Sequence, residues 1–272
     1  MPFFEHDSLR FHYRDEGSGG VAFVFQHGLG ADLTQPFSLF RPPSGIRLIA
    51  FDCRAHGETS VGDQSLITLA TFADDLRALL THLGIAQAVV GGISMGAAVA
   101  LNLTLRFPNR VRGLVLSRPA WTDRPHPWNV HMFSLIAGLV RDHGPKRGQE
   151  LFRETPDYAE ALAKWPDVAS SLASQFEHPR VAETAFKLEQ IIHDSPCSDL
   201  KELAAIKVPT LVLANDLDPI HPLEFGHLLA EAIPGAAFQQ ITSKSISVEK
   251  HERDVQVALE RFFQKNFRLN LC

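Results

Sequence analysis

The chain predicts an α/β architecture: a mostly parallel, eight-stranded sheet with helices on both faces and an inserted helical cap. Three observations carry this reading. Short, wholly apolar runs recur at intervals, as strands buried on both faces require. Segments with apolar residues at three- and four-residue steps separate them, and that alternation is the signature of parallel strands joined by helical crossovers. Between Trp121 and about Pro196 the strand-like runs stop and only helical pieces follow.

In chain order, Phe3–His6 and Leu9–Tyr13 flank Asp7-Ser8 and alternate apolar with polar residues, so they form a hairpin with one wet face. The runs Val21–Phe25, Ile46–Phe51, Ala88–Gly91, Val111–Leu116 and Val208–Leu213 are the buried strands, and Ala237–Ile241 is the last. Leu69, Phe72, Leu76, Leu79, Leu80 and Leu83 mark one face of a helix that stops at Gly84. Helical pieces are expected at 130–141, 148–153, 158–164, 168–176 and 181–193, each bounded by prolines that start helices or forbid their continuation. Leu223–Ile233 and Val255–Phe263 close the list. Residues 1–120 and 197–272 then make the core, and 121–196 the cap.

With 272 residues, 45% of them hydrophobic, the chain can bury a full core, and disorder is excluded. Lys and Arg number 26 against 31 Asp and Glu, with no basic run, so nucleic acid is not the expected partner. Cys53, Cys197 and Cys272 are odd in number and far apart, which indicates neither a disulfide framework nor a thiolate metal site. The acidic, His-containing start and the lack of a long apolar stretch predict a cytoplasmic protein with no membrane segment. A small molecule is the expected partner, and a homo-oligomer is left open.

The chemistry is carried by Gly92-Ile93-Ser94-Met95-Gly96, placed directly after a buried strand and before a run of small helix formers. A serine on a sharp strand-to-helix turn stands above the sheet edge, and glycines two residues to either side avoid collision with neighbouring elements. The helix that follows points its unpaired N–H groups at the serine. On these residues the chain resembles the α/β-hydrolase family over nearly its whole length. Its Ser-Met-Gly elbow is similar to that of the esterase and enol-lactone hydrolase branch. Gln26-His27-Gly28-Leu29-Gly30 resembles the family's His-Gly-x-Gly turn, which implies that the N–H groups of Leu29 and Met95 hold an oxyanion. Asp52-Cys53-Arg54-Ala55-His56-Gly57 is similar to the family segment after the fourth strand, with Ala55 in place of a glycine; His27 and His56 read as structural.

The resemblance further implies an acid after the strand at 208–213, where Asp218 is preferred and Asp216 is the rival. It implies a base later still. Among His221, His227 and His251 the choice is His251, ahead of the closing helix, although Lys250 stands where most relatives carry glycine. The implied function is hydrolysis of a small carboxylic ester or lactone through Ser94, His251 and Asp218, without cofactor or metal. C–C hydrolases and peptidases of the same fold, and non-hydrolytic receptors or lyases on it, remain alternatives. His126, His131 and His143 lack a metal-ligand pattern. Trp121, Trp128, Met132, Phe133, Ile136 and Phe176 are candidates for an apolar pocket wall or for cap core. Arg118 and Arg124 could meet a substrate carboxylate or make local ion pairs.

Overall fold

The computed structural model describes residues 2–125 and 128–267, so His126 and Cys272 lie outside the described residues. Eight strands form one sheet: β1 (Phe3–His6), β2 (Leu9–Glu16), β3 (Val21–Gln26), β4 (Ile46–Phe51), β5 (Ala88–Ile93), β6 (Val111–Ser117), β7 (Thr210–Ala214) and β8 (Ala237–Gln240). Their order across the sheet is β1-β2-β4-β3-β5-β6-β7-β8. Only the β1–β2 and β2–β4 pairings are antiparallel; the rest are parallel, as the buried runs require.

Alternation along the central strands divides the core in two. Ala22 and Val24 of β3 face one layer, while Val21, Phe23 and Phe25 face the other. The first layer holds α2 (Leu69–His82) and α3 (Met95–Arg106), and the second is closed by α10 (Val248–Phe267), whose Phe263 packs edge-on against Phe23 at 5.0 Å. Each such buried phenylalanine contributes about 1.5–3 kcal/mol by leaving water. Helix α2 is capped as its sequence suggests: the Thr68 hydroxyl accepts from the Thr71 N–H, and Gly84 takes φ +65° beyond the last turn. A short α1 (Thr34–Leu39), too brief to leave a periodic signal, follows β3.

Between β6 and β7 lie α4 (His131–Arg153), α5 (Pro156–Lys164), α6 (Pro166–Ser174), α7 (Val181–Thr184), α8 (Phe186–Gln190) and α9 follows β7 at Leu223–Ala232. The two pieces expected at 130–141 and 148–153 are both parts of α4, bent where Gly144 adopts φ +74° just before Pro145. Proline starts α5 and α6, where its missing N–H costs nothing. Two basic side chains of the inserted segment reach the turn after β4. Lys187 Nζ donates to the Ala55 carbonyl at 2.6 Å, and Arg180 donates to the carbonyls of Gly57 and Thr59 at 3.0 and 2.8 Å.

The closing helix departs from the sequence reading. It begins at Val248 rather than Val255, so His251 lies in its first turn instead of in a loop ahead of it.

Candidate active site

Ser94 joins β5 to α3 at φ +56°, ψ −113°, a conformation costly for a residue with a side chain. Its N–H donates to the Ser117 carbonyl of the neighbouring strand at 2.9 Å, which holds the strained residue in place. The flanking glycines are sterically required. A Cβ on Gly92 would run into the Gly96 backbone, and one on Gly96 would run into the carbonyls of Gln26 and His27. Sheet, elbow and the turn after β3 therefore meet with no room for side chains.

That turn is built around His27. Its Nδ1–H donates to the Gly28 carbonyl at 2.8 Å, and its Nε2 accepts from the Cys53 N–H at 3.1 Å, a combination that fixes the neutral tautomer. Burial lowers the imidazole's pKa in keeping with this role. Gln35 accepts the Gly28 N–H at 2.8 Å. Gly28 packs close enough that a Cβ there would sit 3.4 Å from that of Ser94. Leu29, next along, faces the same cavity as Ser94. The N–H groups of Leu29 and Met95 have no accepting partner among the described residues, so both are free to receive a charged oxygen. Asp52 secures the far side of the turn by accepting from the Leu33 and Glu58 N–H groups and from His12.

Ser94 opens into a cavity of about 300 Å³ that Asp218, His221, Arg118 and Lys244 also line. Asp218 follows β7 and is nearly buried, whereas Asp216 is exposed. One Asp218 oxygen accepts the Ile220 and His221 N–H groups at 3.2 Å each. The other accepts from Arg118 and lies 2.9 Å from His221 Nδ1. Burial alone would raise this carboxyl, but His221 and Arg118 overcome it and hold the pKa far below the usual carboxylate range. His221 is lowered by burial, against the pull of Asp218. Arg118, at φ +49° just beyond β6, thus makes an ion pair with Asp218, while Arg124 pairs with the adjacent Asp123 at the surface.

Residues 21–244 match the family model of the alpha/beta hydrolase fold. The chain is an α/β hydrolase. It is 26% identical to 3-oxoadipate enol-lactonase 1 of Acinetobacter baylyi over 243 residues, covering 87% of this chain and 86% of that protein. It is 27% identical to Lipase 1 of Psychrobacter immobilis, covering 82% and 71%. Among solved structures it resembles a thermophilic esterase from Thermogutta terrifontis, with TM-score 0.72, 26% identity and 94% of each chain covered. The enol-lactonase from Burkholderia xenovorans, at 24% identity and TM-score 0.72, shares the fold over 97% of this chain and 100% of that one.

The hydrolase does not bring His251 to Asp218. The side chain of His251 is fully buried on α10, its Nδ1–H donates to the Thr242 carbonyl at 2.9 Å, and it takes no part in the cavity wall. The physical reason is the early start of α10, which turns this residue inward as part of the helix's apolar face with Val255, Ala258 and Phe262. Spacing at 251, 255, 258 and 262 was the available signal. The histidine beside Asp218 is His221, and the cavity-facing residue of the loop after β8 is Lys244.

The expected apolar wall also divides. Phe133 lines the Ser94 cavity, but Trp128 and Met132 line a neighbouring cavity of about 220 Å³, which shares only Val168 and Ile220 with it. Trp121, Ile136 and Phe176 are buried in the core. The roof over Ser94 is instead mostly polar, with Asp167, Ser170, Ser171 and Gln175. Among the described residues no group of three or more His, Cys, Asp or Glu side chains is placed to hold a metal ion, and no helix is long and apolar enough to cross a membrane.

Burial brings the His251 pKa down to about 4, below its ordinary value of 6.5, with Arg118 acting in the same direction. The unfolded chain therefore binds a proton between those two pH values that the folded one refuses, and stability falls as pH drops through that window. His251→Gln keeps a donor for Thr242 but cannot titrate. Its urea-derived stability is expected to lose on the order of 2 kcal/mol less than wild type between pH 6.5 and 4.

Proposed function

We propose that the hydrolase cleaves a small carboxylic ester or lactone, with Ser94 as nucleophile and His221, held by Asp218, as its base. The observation that carries this reading is the strained Ser94 elbow opening into the cavity that the hydrogen-bonded Asp218–His221 pair also lines. The relatives named enol-lactonase and lipase support an acyl substrate.

In the tautomer whose Nδ1–H is donated to Asp218, rather than the one whose Nδ1 accepts from Arg118, the His221 Nε2 carries the lone pair a general base needs. It takes the Ser94 proton as Oγ attacks the acyl carbonyl. The carbonyl oxygen, now negative, receives the N–H groups of Leu29 and Met95 and lies at the positive end of α3. Collapse expels the alcohol and leaves an acyl-enzyme that water hydrolyses.

Intact-mass labelling with a fluorophosphonate tests the reading. Wild type is expected to take one adduct and Ser94→Ala none; His221→Ala should slow labelling at least about 100-fold, the usual worth of a positioned base. His251→Gln should stay within a few-fold of wild type. An unlabelled wild type would remove the hydrolytic reading, and fast labelling of His221→Ala with slow labelling of His251→Gln would transfer the base to α10.

A further inference from the structure

Two cavities of unlike chemistry lie side by side at the loop after β7, and among the described residues Val168 and Ile220 alone line both. The cavity that holds Ser94 carries hydroxyl, amide and charged groups on most of its wall. The other, of about 220 Å³, is faced by Met132, Ala161, Trp165 and Leu172. His131 and Asp157, both exposed and 3.5 Å apart, also line it, so it opens to solvent on the side away from Ser94.

Helix α6 runs between the two. Val168 and Leu172, four residues apart and therefore on one face, look toward the apolar cavity, while Asp167, Ser170 and Ser171 look toward Ser94. Val168 stands where the two faces meet, and Ile220 closes the gap from the loop opposite. Both side chains are buried.

This pair is held in place. The Ile220 N–H donates to Asp218 at 3.2 Å, and its carbonyl accepts from the buried Asn129 Nδ2 at 2.5 Å. The same Nδ2 donates to the Ala120 carbonyl at 3.2 Å. Ile220 cannot withdraw without leaving buried polar groups unpaired. Val168 is β-branched in a helix, which leaves it one strongly preferred rotamer. Its neighbour Asp167 accepts from the Ser245 hydroxyl at 2.5 Å, which ties this turn of α6 to the loop after β8.

Resting on the acyl-transfer reading above, we propose that Val168 and Ile220 form a partition that determines specificity, confining the acyl group at Ser94 to the polar cavity and denying long apolar chains the cavity behind. In front of the partition a long chain must cover hydroxyls and charges that lose water and gain no partner. Behind it, each methylene would leave water among aliphatic and aromatic side chains and gain about fourfold in binding. The substrate class that fits is an ester or lactone whose acyl part is short or carries polar groups of its own.

The test is a chain-length series of p-nitrophenyl acetate, butyrate and octanoate, assayed on wild type, Val168→Ala, Val168→Ala with Ile220→Ala, and Val168→Ile. In wild type kcat/KM for the octanoate is expected to lie about tenfold or more below that for the butyrate. The double substitution opens the partition and should raise the octanoate-to-acetate ratio by about tenfold or more, with Val168→Ala alone in between. Reading a ratio cancels any general loss caused by Ile220→Ala beside His221. Val168→Ile keeps the partition and should keep the wild-type order, whereas mere disturbance of α6 would alter it as alanine does. A wild type that turns over octanoate as well as acetate, or a double variant with the wild-type order, would overturn the proposal. Fluorophosphonate labelling of the same proteins separates this inference from the reading it rests on. An unlabelled wild type sinks the serine reading itself, whereas labelled proteins that share one chain-length order sink only the partition.

Discussion

Asp218→Asn is expected to lower kcat for ester hydrolysis by about three to four orders of magnitude while leaving the fold intact, as measured by steady-state kinetics beside circular dichroism. Two losses combine. The amide can present its N–H₂ to His221, which favours the wrong tautomer and removes the Nε2 lone pair from use. The substitution also removes the charge that balances Arg118, whose Nη2 lies 3.0 Å from His221 Nδ1. An imidazolium formed during turnover would then face a guanidinium with no carboxylate between them. Converting Arg118 to Met as well should recover part of the loss. If Asp218→Asn turns over within tenfold of wild type, the carboxylate is a structural cap for the Ile220 and His221 N–H groups and nothing more.

The largest effect on stability is expected at Asp75. This carboxylate is wholly buried on α2 and accepts two hydrogen bonds from Arg54, Nε and Nη2 at 2.8 Å each. Arg54 is itself 2% exposed at the side chain, and its other acid, Asp7, is half in solvent. Asp75→Ala therefore leaves a guanidinium inside the protein with one partner at the surface. Breaking such a pair costs about 3–5 kcal/mol, enough to threaten a domain of ordinary stability. Urea unfolding of Asp75→Ala against Arg54→Met with Asp75→Leu distinguishes the cause. The double replacement should regain most of the loss, because it removes the stranded charge along with the pair. A double variant as unstable as the single one would mean that packing, not charge, sets the cost.

The elements that place Ser94 were legible because each is specified by local chemistry. Buried strands need unbroken apolar runs, and a serine elbow between strand and helix needs Gly92 and Gly96 for steric reasons that leave no substitute. The place of Asp218 beyond a buried strand was legible too, and its carboxylate accepts its own loop's N–H groups. The surroundings of His251 were not. The sequence reading starts the closing helix at Val255 and leaves Val248-Glu-Lys-His-Glu-Arg ahead of it, and the helix there becomes evident only when its inward positions are followed on into Val255 and Ala258. Nor does sequence disclose which side chain of a tied loop turns inward, because that depends on Asp254 and Asp167 gripping Thr242 and Ser245 from two other elements. The polar character of the roof was hidden for a similar reason. In α6 the buried face carries Val168, Ala169 and Leu172, and it is the intervening Ser170 and Ser171 that reach the Ser94 cavity.

The grip of Lys187 and Arg180 on the turn after β4 sets how the two halves of the molecule respond to their medium. Their acceptors at Ala55, Gly57 and Thr59 are peptide carbonyls, not carboxylates. Dissolved ions screen pairs of exposed opposite charges over about 8 Å at physiological strength, but the buried Lys187 Nζ, which burial brings down to a pKa of about 7 and which donates to a peptide carbonyl, offers them little to screen. The seam between these helices and the turn after β4 is thus expected to hold in brine as in dilute buffer.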